Sequence, residues 1–235
     1  MYENLIISEK KAEESNRDYV YRVLRNNIMT LKLEPGSPLR EHDLADLLHI
    51  SRTPVHEGIA LLKTQYLADI FPKSGSRVSL VNLNIVREGY FLRSMIEAPI
   101  IRQLAGNLSP EYEEKLYANL LQQREALKLP DCTDDYFCLD NMFHQLTYEA
   151  ANKPHIWNSV QMTVTHFDRV RYMCSILMGD DLSRYYDEHF QMYTDYLIGG
   201  GSSFYDAENY VSTHLSHFKQ FIPKLVRTYP DYFSF

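Results

Sequence analysis

Two short stretches combine residue types and spacings that can do chemistry. In "DNMFHQLTYEAANKP" (140–154), Asp140 and His144 stand at i and i+4. On a helix that spacing sets a carboxylate and an imidazole on one face, where both can hold a single metal ion. Two ligands do not complete a site, and the same spacing describes a helix-surface ion pair or a satisfied buried pair. Further imidazoles stand at His155, His166, His189, His214 and His217, and spacing does not choose among them. In "HISRTPVHEG" (49–58), Ser51 and Thr53 can each cap a helix, and Pro54 fits a helix's first turn. A helix that opens with Arg52 and presents His56 one turn later can meet an anion with both.

The elements around the second stretch explain its position. Residues 17–31 read as an amphipathic helix with Val20, Leu24 and Ile28 on one stripe and Arg17, Arg22 and Arg25 off it. "EPGSP" (34–38) is a turn cluster. A helix with Leu44, Leu47 and Leu48 follows. Ser51 then opens another with Val55, Ile59 and Leu62, giving a helix-turn-helix pattern. Two β-prone pieces near 68–71 and 77–81 flank a turn of Pro72, Lys73, Ser74, Gly75 and Ser76, which predicts a hairpin, that is, a wing. In such a fold the second helix presents its N-terminal turn to the DNA major groove. Arg52, His56 and Lys63 form the readable face, flanked by Arg40 and Lys73.

From residue 83 onward the patterns predict only helices, at 84–106, 110–127, 133–151, 154–178, 182–198 and 204–223. Pro99 is expected to kink or split the first. Asp180–Asp181 and "GGGSS" (199–203) are the clearest breaks. The expected organisation is a flexible N-terminal extension at 1–15, a winged helix-turn-helix domain at 16–82 and an all-helical domain at 83–235. The fold class is mainly α: three helices plus a β-hairpin, then an antiparallel helical bundle.

Charge supports this division. The chain carries a net −7, which by itself argues against nucleic acid. Residues 17–82 nevertheless hold nine Lys and Arg against seven Asp and Glu, while residues 83–235 hold 13 against 20. The acidity lies in the second part, so the overall charge says little about what the first part binds. Cys132, Cys138 and Cys174 are odd in number and form no C-x-x-C pair, which fits a reducing cytoplasm and argues against a thiolate zinc site. The first 16 residues have no long apolar core of the secretory kind, and no apolar run approaches the roughly 20 residues a membrane helix needs.

The stretch "GSPLREHDLADLLHISRTPVHEGIALLKTQYLADIFPKSGSRVSLV" resembles the DNA-binding domain of GntR-family bacterial transcription regulators. "G-x-x-L-x-E-x-x-L-A" followed by "S-R-T-P-V" carries the resemblance. It implies operator contact by Arg52, a backbone or phosphate contact by Thr53, a contact by Arg40 before the middle helix, and a wing built on Lys73 and Gly75. This chain has His56 where the family usually has Arg, Gly58 where it has Ala, and Ser74 where it has a basic residue before the wing glycine.

The helical part is similar to the ligand-sensing domain of the FadR-type branch of that family, the FCD domain. There D-x-x-x-H is followed by a His in "E-H" and by a His near the end of the last helix. The matching pieces are "DEHFQMY" and "VSTHLSHF", so the resemblance implies Asp140, His144, His189 and His214 as metal ligands, with "GGGSS" as a loop insertion. His217, one turn beyond His214, is the alternative fourth ligand. Three imidazoles and a carboxylate suit Zn²⁺ first, with Ni²⁺, Mn²⁺ or Fe²⁺ possible. Arg93 matches a family arginine that faces this pocket and would pair a small organic acid; from the residues alone it is equally an i,i+4 partner of Glu97. The expected function is a cytoplasmic, non-enzymatic regulator, a repressor acting as a homodimer on an inverted-repeat operator in double-stranded DNA. A metal-dependent hydrolase, a sensor of the metal itself and a purely structural metal are the alternatives.

Overall fold

The computed structural model describes residues 2–179, 181–200 and 204–234 and divides them into two compact units. The first comprises residues 2–86, 165–170 and 224–234; the second comprises 87–164 and 171–223. Asp180 and residues 201–203 of the expected breaks lie outside the described residues.

In the first unit, α1 (Asn16–Met29) starts at Ser15, whose hydroxyl accepts the Asp18 amide. After β1 (Pro38–Leu39), α2 (Glu41–Leu47) and α3 (Arg52–Thr64) are joined by a turn in which His49 takes φ 55°. Histidine is among the side chains that tolerate this left-handed region. β2 (Ala68–Phe71) and β3 (Gly75–Val78) form the hairpin, and β1 adds to it in the antiparallel order β1-β3-β2. Gly75, at φ 89°, supplies the positive φ that the wing turn needs. Val20, Leu24 and Ile28 of α1 are buried with Val55, Ile59 and Leu62 of α3. Gly58 sits in that interface: a Cβ there would lie 2.7 Å from Val20 Cγ1, so the helices pack too closely for alanine.

The N-terminal residues, expected as a flexible extension, make contacts along this unit. Tyr2 donates to the Pro38 carbonyl, Ile6 exchanges hydrogen bonds with the Asn27 side chain, and Arg22 pairs with Glu14 at 2.6 Å. Two further pieces complete the unit. β4 (Val81–Asn82) pairs in parallel with β5 (Phe233–Ser234), a strand in a region expected to be helical throughout. Residues 165–170 contribute Thr165, which donates to the Gln65 carbonyl at 2.8 Å, and buried Arg169, which donates to Ser79.

His166 lies beside them with both ring nitrogens engaged. The Asn82 amide donates to Nδ1 at 2.9 Å, and Nε2 lies 2.7 Å from the Tyr66 carbonyl. An amide N–H only donates and a carbonyl only accepts, so the ring is neutral with its proton on Nε2. Burial first, then Arg169, pushes its pKa from 6.5 down to about 4. The unfolded chain takes up the proton near pH 6.5 and the folded chain only near 4. Stability is therefore lost as pH falls through that window and is fully present above it. The expected loss is on the order of 3 kcal/mol. Urea titrations at pH 7.5 and 4.5 should show this component in the wild type and not in His166→Gln; equal pH dependence in both refutes it.

The remaining elements, which make up the second unit and run partly into the first, are helical. α4 (Leu83–Leu104) runs unbroken through Pro99, so the expected split does not occur. α5 (Pro110–Ala126) and α6 (Thr133–Ala150) follow. The single helix expected at 154–178 is two, α7 (Pro154–Thr163) and α8 (Thr165–Met178), because Val164 leaves the helical path at ψ 15°. Three successive β-branched residues, Thr163, Val164 and Thr165, make that the weakest point for a helix. α9 (Leu182–Gln191) continues into a π-helical segment, Met192–Ile198. α10 (Phe204–Ser216) passes into a 3₁₀ turn, His217–Gln220, and α11 (Ile222–Thr228) follows, beyond the expected helix end at 223. Among the described residues, no helix is long and apolar enough to cross a membrane.

Candidate functional site

Two groups of residues stand out, one in each unit. In the first, the N-terminal turn of α3 is open. Arg52, Thr53 and His56 are exposed, as are Arg40, Lys63, Lys73 and Gly75. Ser51 takes the N-cap conformation without a capping hydrogen bond, and no acidic residue lies in the first turn. The free amide groups and dipole of that turn therefore favour an anion. His56 Nδ1 lies 2.8 Å from Glu41 Oε1, so any charge on it is offset by a carboxylate. Arg40 lies 3.8 Å from Asp43, and its backbone amide donates to the Tyr2 hydroxyl. Arg77, absent from the expected interface, covers the Phe71 ring at 4.6 Å and pairs with Asp69 across the wing.

In the second unit, α6 carries Asp140 and His144 on one face, α9 carries His189 and α10 carries His214. One ligand atom from each lies within 4.8 Å of all the others, and all four residues are buried. His144 Nε2 is 3.4 Å from Nε2 of both His189 and His214, and His189 Nε2 is 3.7 Å from Asp140 Oδ1.

The outer side of each ring explains this convergence. His144 Nδ1 lies 3.0 Å from Glu97, His189 Nδ1 lies 3.1 Å from Gln123 Oε1, and His214 Nδ1 lies 2.7 Å from Glu188. All three partners are acceptor oxygens; the Gln123 amide nitrogen itself donates to Asn119. Each imidazole therefore carries its proton on Nδ1 and turns an Nε2 lone pair inward. Three converging lone pairs repel unless a cation lies among them. Asp140 adds to the demand: Oδ2 takes Arg171 at 2.8 Å, while buried Oδ1 has no hydrogen-bond partner and faces the histidines. This donor set fits a divalent transition metal.

The electrostatics agree. Burial, opposed in part by Glu97, pushes the His144 pKa down to about 4, and burial likewise holds His189 far below the ordinary imidazole value. Both are neutral, the form that ligates. Burial works against ionising Asp140, yet Arg171 and the histidines outweigh it and keep the carboxyl well below its usual range. Glu188, although partly buried, is held at about 2 by His214 and His217.

His217 directs Nε2 to Glu188 at 2.6 Å and is not among the converging four; it braces the acid that orients His214. Arg93 is fully buried, with its Nε 2.5 Å from Glu97, whose other oxygen takes His144. It thus stands one residue behind a ligand. Arg169 belongs to the first unit with Ser79, not to this cluster. Glu97, Gln123 and Glu188 were not identified from the sequence as outer partners. Only Glu188 had a visible signal, its place beside His189 in "E-H".

A winged helix-turn-helix unit and a helical unit holding three histidines and an aspartate are the arrangement of a two-domain DNA-binding regulator. Residues 16–78 match the model of the bacterial regulatory proteins, gntR family, and residues 88–195 match the FCD domain. The HTH-type transcriptional repressor RspR of Escherichia coli K12 is 36% identical over 154 residues, covering 66% of this chain and 67% of that protein. A putative GntR regulator from Rhodococcus sp. RHA1 superposes with TM-score 0.72 at 20% identity, over 89% of this chain and 99% of that one. E. coli McbR/YncC superposes with TM-score 0.68 at 19% identity, over 92% and 99%. The chain belongs to the GntR family and is a DNA-binding transcriptional regulator with an FCD domain.

Proposed function

We propose that this regulator is a homodimeric repressor whose hold on an inverted-repeat operator is set by a small organic acid bound at a metal in the FCD domain. The observation that carries the reading is the inward convergence of three Nε2 atoms and one orphaned carboxylate oxygen, each imidazole anchored from behind. Asp140, His144, His189 and His214 would hold the ion. Zn²⁺ is the first choice, and Ni²⁺, Mn²⁺ and Fe²⁺ also accept this set. When bound, the ion supplies a Lewis-acidic position for a carboxylate. Arg93 and Arg171 add positive charge beside it, Arg93 through Glu97 and Arg171 through Asp140. On the DNA side, Arg52 reads a base at the N-terminal turn of α3, Thr53, His56 and Arg40 border the backbone, and Lys73 and Gly75 place the wing.

The test uses protein purified without chelator. Metal analysis should find about one ion per chain, and operator binding should change about 10- to 100-fold with the acid present, a coupling of roughly 1.4–2.8 kcal/mol. Removing the metal should abolish that response. Protein that neither carries metal nor binds it on titration overturns the reading.

A further inference from the structure

The residues before α1 are tied to the first unit along their length. Arg22 on α1 donates to Glu14 at 2.6 and 2.7 Å, to Ser8 Oγ at 2.5 Å and to the Glu9 carbonyl at 2.9 Å. Buried Asn27, further along α1, donates to the Ile6 carbonyl at 2.8 Å and accepts the Ile6 amide at 2.7 Å. Its side-chain amide thus meets Ile6 as a neighbouring strand would. Tyr2 and Leu5 pack against the apolar core of the unit. The last tie reaches the start of α2. Ser37 turns its carbonyl towards β3, where it accepts the Val78 amide at 2.8 Å, and Leu39 stands opposite Ser76. Alternation along a strand then sends the Pro38 carbonyl and the Arg40 amide to the opposite edge. The Tyr2 hydroxyl closes that edge: it donates to the Pro38 carbonyl at 3.0 Å and accepts the Arg40 amide at 2.9 Å.

Arg40 is the N-cap residue of α2, and its side chain, 61% exposed, makes no cap bond. Its backbone is therefore held by β3 on one edge of β1 and by Tyr2 on the other. Residues 2–15 carry four Glu against two Lys, so DNA phosphates repel the segment itself. What it offers to DNA binding is the backbone it holds, not a contact of its own. We propose that residues 2–14 form a strap that fixes the start of α2, and that Tyr2 is a positioning residue for operator binding, acting through Arg40. A guanidinium on a long side chain meets a phosphate at a lower ordering cost when its own backbone is already fixed. The inference rests on the reading above that Arg40 borders the DNA backbone, and adds the residue that sets it there.

Operator titrations of the full-length chain at two salt concentrations test it, on the wild type, Tyr2→Phe, Arg40→Ala and the double variant. Tyr2→Phe keeps the ring in the core and removes the hydroxyl alone. It should raise the operator dissociation constant about 3- to 10-fold. Arg40→Ala should lower the salt slope by about one, and Tyr2→Phe should move the slope in the same direction. On the Arg40→Ala background, Tyr2→Phe should cost less than about 1.5-fold, because the group it positions is gone. Exchange of the Arg40 amide with solvent should quicken about 10-fold in Tyr2→Phe. Circular dichroism on the same samples separates loss of this bond from loss of the fold. Wild-type affinity in a folded Tyr2→Phe, or equal losses from it on both backgrounds, overturns the inference and leaves the Arg40 contact standing. Wild-type affinity and salt slope in Arg40→Ala overturn that contact, and the role of Tyr2 with it.

Discussion

His144→Ala and His189→Ala should each lower the metal content of the purified protein from about one ion per chain to almost none. Either change removes one of four converging donors and leaves its outer partner, Glu97 or Gln123, without a ring to orient. A metal that binds the folded chain and not the unfolded one stabilises it by mass action. With free metal about 1,000-fold above its dissociation constant, the loss is about 4 kcal/mol of unfolding free energy. Operator binding should persist at its basal level, because the α3 face lies in the other unit, but it should no longer answer the organic acid. Glu188→Gln gives a graded version: it leaves all four donors in place and should weaken metal binding about 10- to 100-fold, through a poorly oriented His214. The measurements are metal analysis, thermal melts with and without chelator, and operator titrations with the acid. Histidine variants that respond to the acid as the wild type does would separate regulation from this cluster.

The second large effect is expected at Arg52. Its side chain is exposed at the first position of α3, in a turn with no acid of its own. Arg52→Ala should weaken operator binding by about 1–3 kcal/mol if the contact is to a base, and relax the preference at that base pair. The dependence of affinity on salt would then stay nearly unchanged. Lys73→Ala, by contrast, should weaken all sequences alike and lower the salt slope by about one. His56→Ala should cost less than either, because Glu41 already offsets its charge. Titrations on the operator and on a scrambled duplex at two salt concentrations distinguish these cases. Equal losses on both duplexes for Arg52→Ala would assign it to the backbone instead.

The sequence shows local relations clearly and distant ones poorly. The apolar spacing of Val20, Leu24 and Ile28, and of Val55, Ile59 and Leu62, marks the two helices whose faces meet. The wing follows from its Pro-Lys-Ser-Gly turn. Asp140 and His144 are neighbours by helix geometry alone. His189 and His214 sit on other helices, and only packing brings them near; the family pattern, not spacing, singles them out. Gln123 is one of two adjacent glutamines in α5 until His189 is placed against it. The break at Val164 is hidden because the apolar pattern continues across it. β5 has two residues, too few to show any period, and it exists only because Val81 and Asn82 offer an edge. Gly58 reads as a poor helix residue, and only the 2.7 Å approach to Val20 explains why alanine does not suit it.

The pairing of β4 with β5 has a consequence for how the protein is made. The strand that closes the DNA-binding unit lies about 150 residues beyond the strand it joins, so its closure carries the entropy of a very long loop. At ribosomal speeds of roughly 5–20 residues per second, some 8–30 seconds separate the synthesis of Val81 from that of Phe233. Residues 165–170 also arrive late. During that interval α1, α2, α3 and the wing can assemble around their own core, while the edge of β4 stays unpaired and Tyr66, Ser79 and Asn82 wait for the groups that will satisfy them. The first unit is thus finished only after the helices of the second have been synthesised.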